Sequence, residues 1–459
     1  MNTSKKNIAT KSVLVVIAFV VILCSVILSK VLGYDPSQIK AVGLLFSALI
    51  LWISNAIPMS ISTLLLMFSL PLFGLMEYND VLNNFGIGTA LFIMASSGIT
   101  VALINSNIPY KITEKIFNKL GGHPVALVFC LGLAVTVFSG FVSSLATCAL
   151  FTSLISSAFK SVNASNGKNN LAKAMMLSVP VCSGIGGFIS PAGTPANLLV
   201  IDWLKENGTH ITFAKWCAVG FPVCLISSTI FLTLLVLIFK PEKLDYKNAL
   251  SSKKMDKNDH VVLAIVGLVI IGWFLSSFVS FLNITLVAIV GLALLMLPFT
   301  QIITYEQFSK GVNWDLVFTM GSVGVLMTAI ANTGIITRIA SAIAGILPTS
   351  NLFVLLFGLS VIICVIRAFV PTTTAVIALL LPMLVDISKI ANVNCNVLLL
   401  ITAYWAAAAL LLVFTEPIFL ISYKEGYFKQ ADLFKVGILT NIILASVCPI
   451  LIYYIYLSF

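Results

Sequence analysis

Along most of the chain, apolar runs long enough to cross about 30 Å of hydrocarbon alternate with short polar or basic stretches. The pattern predicts spans at 12–31, 40–56, 58–75, 85–106 and 212–239 in the first half, with a further one starting at 174. In the second half it predicts spans at 261–280, 282–298, 314–334, 352–368, 396–413 and 436–457. An amphipathic piece over 109–120, carrying Lys111, Lys115 and Lys119, reads as lying in the membrane interface. Residues 125–140 run inward to a hydroxyl-bearing stretch at 143–148, and 149–158 is too short to span alone, so 125–158 suits a helix followed by a hairpin. No alternating polar and apolar pattern of a membrane β-barrel is present.

Composition narrows the class. Hydrophobic residues make up 59% of the 459 and charged residues 9%, where a soluble domain carries about a quarter charged. The expected fold is an all-α polytopic membrane protein, with about 11 transmembrane helices plus two re-entrant hairpins in two inverted repeats. Residues 1–35 form an N-terminal helix, 36–240 a first repeat with its hairpin near 139–158, and 241–260 a linker. Residues 261–459 form a second repeat with its hairpin near 371–387. The formal charge of +10 gathers in lysine-rich loops, above all Lys240, Lys243, Lys247, Lys253, Lys254 and Lys257. The positive-inside rule puts these loops in the cytoplasm and needs no nucleic-acid partner. Lys5, Lys6 and Lys11 before the first apolar run read as a cytoplasmic N-terminus, which agrees with an even number of crossings before the linker, and a cell (plasma or inner) membrane is expected. The run at 13–29 is followed by a Gly33–Pro36 turn and no small-residue cleavage site, so it reads as a retained helix. Nine cysteines without CxxC spacing and three dispersed histidines (His123, His210, His260) point to neither disulfides nor a metal centre.

Polar interruptions inside apolar runs carry the candidate chemistry. At hydrocarbon depth, broken backbone and polar side chains persist only where protein buries them or they line a cavity. Phe141-Val-Ser-Ser-Leu-Ala-Thr-Cys148 and Arg367-Ala-Phe-Val-Pro-Thr-Thr-Thr374 are read as hairpin tips, each half of one binding site. Ser183-Gly-Ile-Gly-Gly187 with Ser190-Pro-Ala-Gly-Thr-Pro-Ala-Asn197 reads as an unwound helix, since four glycines and two prolines fall in fifteen residues. Thr415-Glu-Pro417 is a second break, and Pro222 is expected to interrupt the 212–239 span. Arg367 and Glu416 are ionisable residues at membrane depth, costly there and pointing to function, and pairing between them is plausible.

The two halves resemble each other. Phe92, Met94, Ser96 and Gly98 coincide without gaps with Phe318, Met320, Ser322 and Gly324 at an offset of 226, and Phe141-Val142 lies over Phe369-Val370 at 228. Paired interrupted helices at matching places in two halves mark a transporter binding site at the midplane.

Over about residues 40–450 the chain also resembles the divalent anion/sodium symporter family of the ion transporter superfamily. Leu51-Trp-Ile-Ser-Asn-Ala-Ile-Pro58 is similar to its Trp-x-x-Glu-Ala-Ile-Pro segment. Pro191-Ala-Gly-Thr-Pro-Ala-Asn197 is similar to its Gly-Thr-Pro-Pro-Asn loop. Gly426-Tyr-Phe428 and Gly437 resemble the segment after the second such loop. The resemblance implies an elevator-type homodimer whose moving domain holds both hairpins. The family's Ser-Asn-Thr tips bind substrate carboxylates and sodium. Here they read Ser143-Ser144-Leu145 and Thr372-Thr373-Thr374, and the second loop reads Thr415-Glu416-Pro417.

For a small anionic substrate the donors are Ser143, Ser144, Thr147, Thr194, Thr372, Thr373 and Thr374, with Arg367, aided by backbone N–H groups at broken-helix N-termini. For a coupling cation, Na+ or H+, the ligands are Ser144, Gly187, Gly193, Asn197, Thr373, Thr415 and Glu416, with carbonyls freed at the glycines. The same hydroxyls could instead cap hairpin helices or bond back to their own carbonyls, and Arg367–Glu416 could be purely structural. No cofactor motif appears. An intramembrane enzyme is disfavoured because no break motif holds His or Asp, and a channel because no ring of charges or filter repeat exists. The leading expectation is a secondary carrier of small anions such as dicarboxylates, sulfate or related oxyanions. The alternative is a sodium-independent, proton-coupled or exchange-type carrier built on Glu416 and Arg367.

Overall fold

The computed structural model describes residues 2–30, 35–120, 122–161, 169–206, 208–243, 250, 253–338, 341, 351–370, 373–413 and 416–458. Among these residues there are helices and no strands, as an apolar solvent requires of a chain that must bond its backbone internally. Eight helices are long and apolar enough to cross a membrane, and five shorter apolar ones accompany them. Helix starts are set by side-chain caps: Asp35 accepts from the Ser37 N–H, Asn169 from Leu171 and Ala172, Thr212 from Lys215, and Asn351 from Val354. The chain is a multi-pass membrane protein.

The first repeat begins with α1 (Asn2–Leu28) packed beside it, then α2 (Pro36–Ser54), α3 (Met59–Ser69), α4 (Tyr78–Asn83) and α5 (Ile87–Asn105). The amphipathic α6 (Ile108–Leu120) precedes a hairpin of α7 (Pro124–Ser139) and α8 (Ser144–Ser161). Next come the half-helices α9 (Asn170–Gly186) and α10 (Pro195–Glu206), and α11 (Phe213–Phe239). The second repeat runs through α12 (Lys257–Leu275), α13 (Ile284–Met296), α14 (Tyr305–Gly311) and α15 (Trp314–Asn332). Its hairpin is α16 (Leu352–Phe369) and α17 (Thr373–Ala391), its half-helices are α18 (Cys395–Ala408) and α19 (Pro417–Tyr423), and α20 (Gln430–Leu457) closes it.

Packing follows the repeat. α3 lies on α15 as its counterpart α13 lies on α5; α8 meets α19 as α17 meets α10; α11 and α20 pack on each other. The hairpins and half-helices thus form one body, and α2, α3, α5, α12, α13 and α15 a second body beside it. Close approach depends on small residues. A Cβ on Gly186 would strike the backbone of Thr136 in α7, and one on Gly220 would lie 2.6 Å from the Phe188 carbonyl oxygen.

Three expectations about breaks need correction. Ser183–Gly186 stays helical as the last turn of α9, and the unwound stretch starts only at Gly187, because these small residues are held against α7. α11 continues through Pro222, and α9 through Pro180; one missing N–H leaves the rest of each buried ladder intact. The span expected at 58–75 contains only 11 helical residues, and tight turns complete it after Ser69.

Candidate functional site

Four helices start at one place. Ser144 opens α8, Pro195 α10, Thr373 α17 and Pro417 α19, and all four residues line a cavity of about 290 Å³. Helix N-termini carry the positive end of the helix dipole and N–H groups without an intrahelical acceptor, so the cavity offers an anion donors from hydroxyls and backbone with no basic side chain in its lining. Its two carboxylates, Asp315 and Glu416, are each held by hydrogen bonds of their own. The sequence cuts the helices here because each tip carries hydroxyls, or a proline lacking an N–H, where a continuous helix would need an apolar donor residue.

The structure brings Ser143, Ser144, Gly193, Thr194, Thr373, Thr374 and Glu416 to the wall of this one cavity. Gly187 and Asn197 stand behind it. The Ser144 N–H and hydroxyl both donate to the Gly193 carbonyl, at 3.2 and 3.1 Å. Asn197 Nδ2 donates to the carbonyls of Gly187 and Ser190, both at 2.8 Å. Asn197 Oδ1 is buried with no hydrogen-bond partner among the described residues. A buried orphan acceptor beside freed carbonyls suits a cation more than it suits a further anion. Glycine is needed here: a Cβ on Gly193 would sit 2.5 Å from the Gly187 oxygen and 2.9 Å from that of Ser139.

Arg367 is buried to 1% exposure and does not line the cavity. It stands behind Glu416, to which Nη2 donates, while Nε donates to the Ala406 carbonyl (2.9 Å) and Nη1 to that of Val370 (2.7 Å). The Thr373 hydroxyl donates to the same Glu416 oxygen and lies 3.4 Å from Nη2. Thr147 also stays away from the cavity: it is fully buried in α8 and its hydroxyl turns back to the Val142 carbonyl at 3.5 Å. Thr372 and Thr415 lie outside the described residues.

Sequence reasoning missed the opposite wall. Asn55, Met59, Asn313, Asp315 and Leu316, from the second body, complete the cavity. Asp315 accepts the Ser60 N–H (3.0 Å) and hydroxyl (2.5 Å) and so caps α3 from α15. The signal available was a lone carboxylate at the start of a predicted span. A second cavity of about 410 Å³ shares Ser143, Leu145, Pro195, Asn313 and Leu316 with the first and follows α5 past Ser96, Ser97 and Thr100 to Ile104. That end of α5 adjoins α6, whose Lys111 reaches the Lys253 carbonyl at 3.1 Å, so the route leads from the tips toward the basic face. On the far side of the tips the Thr89 hydroxyl of α5 donates to the Asp202 carboxylate of α10, tying the two bodies together.

Comparison with known proteins agrees with this architecture. A family model described as "Citrate transporter" matches residues 49–376 and 279–459. An uncharacterized transporter of Haemophilus influenzae is 23% identical over 94% of this chain and 95% of its own. The sodium-dependent dicarboxylate transporter SdcS of Staphylococcus aureus is 22% identical over 93% of this chain and 89% of its own. The crystal structure of the YdaH transporter of Alcanivorax borkumensis superposes with a TM-score of 0.52 at 11% identity, over 81% of this chain and 86% of that one, a likeness of fold.

Proposed function

The chain belongs to the citrate transporter family, and from that premise we propose that it is a cation-coupled secondary carrier of small anions that binds its substrate between the two hairpin tips. It is a membrane transporter and not an enzyme. The substrate class proposed is di- and tricarboxylates, sulfate or a related oxyanion, and the relative named for sodium-dependent dicarboxylate transport supports the carboxylate end of that range.

The observation that carries this reading is the convergence of both tips and both broken helices on one cavity of about 290 Å³. In it, Ser143, Thr194 and Thr374 supply hydroxyl donors, and the N-termini of α8, α10 and α17 supply backbone N–H groups and positive dipole ends. Behind the tip, Ser144, Gly187, Gly193 and Asn197 form the acceptor cluster proposed for the coupling cation. The hairpin body then moves against the other, in an elevator-type cycle within a homodimer of the cell membrane, with the N-terminus on the cytoplasmic side. Thr373 and Glu416 keep their place in the second half-site, and a second reading rests on them. The buried Arg367–Glu416 pair favours a sodium-independent, proton-coupled or exchanging carrier.

Uptake of radiolabelled succinate, citrate and sulfate into proteoliposomes, under separately imposed sodium and proton gradients, tests the proposal. Sodium-driven accumulation of one of these anions is expected. Accumulation driven by protons alone, or seen only with internal anion, selects the second reading; no uptake of any of the three contradicts the anion assignment.

A further inference from the structure

The two half-sites are related by the internal repeat, yet they hold different chemistry at equivalent points. Ser139 and Arg367 occupy the same place in the last turn before the tip, at the offset that also aligns Phe141-Val142 with Phe369-Val370. Each reaches across to the carbonyl end of its half-helix. Ser139 Oγ donates to the Ser183 carbonyl of α9 at 2.6 Å, and Arg367 Nε to the Ala406 carbonyl of α18 at 2.9 Å. Ser144 and Thr373 are counterparts as first residues of the returning hairpin helices, and Thr194 and Glu416 as the residues before the prolines that open α10 and α19.

In the first half-site the small Ser139 stands where the second has a guanidinium, and no basic side chain among the described residues meets the acceptors around it: the Gly193 carbonyl, which accepts only from Ser144, the Gly187 carbonyl, which accepts from Asn197, and the orphaned Oδ1 of Asn197. In the second, the guanidinium of Arg367 is itself the positive charge. It donates to the carbonyls of Ala406 and Val370 and to Glu416, and it is closed off from the cavity. Acceptors freed by a broken helix at hydrocarbon depth need positive charge, and a planar side chain with five fixed donors supplies it to several acceptors at once.

We propose that Arg367 is a tethered cation. Its guanidinium permanently occupies the point where the second half-site would otherwise take a mobile ion, so cation coupling is confined to the first half-site and to one ion per cycle. This deepens the cation-coupled reading and rests on it. It also removes Arg367 from direct contact with the substrate anion and makes it a residue that sets ion stoichiometry.

The test substitutes Arg367 by the residue its counterpart carries, Arg367→Ser, and reads sodium binding without transport. Thermal unfolding of the purified protein is followed as NaCl replaces KCl at constant ionic strength. The natural chain is expected to respond with a slope of about one ion, and Arg367→Ser with about two, its midpoint rising further with sodium than that of the natural chain. Arg367→Lys, which keeps a tethered charge, is expected to retain the single-ion response. If Arg367→Ser responds to sodium no differently from the natural chain, the proposal is overturned. A gain of sodium response in Arg367→Ser, when the natural chain has none, would uphold the tethered cation while removing sodium coupling at the first half-site. If Arg367→Ser folds only in NaCl the proposal is supported; failure to fold in both salts counts against it.

Discussion

Removing both members of the Arg367–Glu416 pair should be no more damaging than removing either one alone. Glu416→Gln keeps an amide oxygen facing Nη2 but takes away the charge that offsets a guanidinium only 1% exposed. Breaking a buried pair from one side costs about 3–5 kcal/mol, because an uncompensated charge remains. Here the carbonyls of Ala406 and Val370 still accept from Arg367, which places the loss at the low end, ~3 kcal/mol. Arg367→Met leaves Glu416 at 16% exposure with the Thr373 hydroxyl still donating to it, and a similar loss of ~3 kcal/mol follows. The double variant removes both charges together. Its loss should not exceed that of either single variant, giving a coupling energy of ~3 kcal/mol. The assay is reversible unfolding in mixed micelles, in KCl without sodium, for the natural chain and the three variants. A double variant whose loss equals the two single losses added together, within about 0.5 kcal/mol, would refute the reasoning.

Other expectations follow from single contacts. Gly193→Ala places a Cβ 2.5 Å from the Gly187 oxygen, so it should cost about 1–3 kcal/mol in thermal unfolding and abolish cation-dependent uptake while leaving every hydroxyl in place. Thr89→Val removes the hydroxyl that ties α5 to Asp202 of α10 on the far side of the tips. A loss of ~1 kcal/mol there, about fivefold in population, should raise the reactivity of a cysteine introduced near Thr89 toward an impermeant thiol reagent; unchanged reactivity contradicts a role for this bond in holding the two bodies together. On the basic face, the Ser156 hydroxyl and then Lys160 (3.3 Å) hold the Glu425 carboxyl below its ordinary range. A depressed carboxyl contributes stability that is present above the unfolded-state value and lost as pH falls through its own lower value. Hydrogen exchange over 417–429, corrected for intrinsic rates, should therefore quicken on acidification, and at a higher pH in Ser156→Ala than in the natural chain.

The sites that sequence patterns disclosed are those where local chemistry alone breaks a helix. Ser143-Ser144 and Thr373-Thr374 stood out as hydroxyl clusters inside apolar runs, and both now face one cavity. The pairing of Arg367 with Glu416 could be anticipated because two opposite charges at hydrocarbon depth have few alternatives. What escaped was decided by packing between distant segments. Gly184 and Gly186 read as helix breakers, yet they serve close contact: their missing Cβ atoms let α9 lie against the Ala407 carbonyl and the Thr136 backbone. Thr147 looked like the third hydroxyl of its tip, but it falls on the inward face of α8, one turn past Ser143. Asn313 and Asp315 gave no cluster at all; the opposite wall of the cavity comes from a body whose approach no local pattern encodes.

The central claim is that one anion is held jointly by the two repeats. Equilibrium binding of radiolabelled citrate and succinate to the purified protein, measured by scintillation proximity, addresses it most directly with Thr194→Ala from the first repeat and Thr374→Ala from the second. Each hydroxyl lost should weaken binding by about 1 kcal/mol, roughly fivefold, and the two losses should appear for the same ligand. Binding that weakens in only one of the variants, or in neither, would contradict a site shared between the tips.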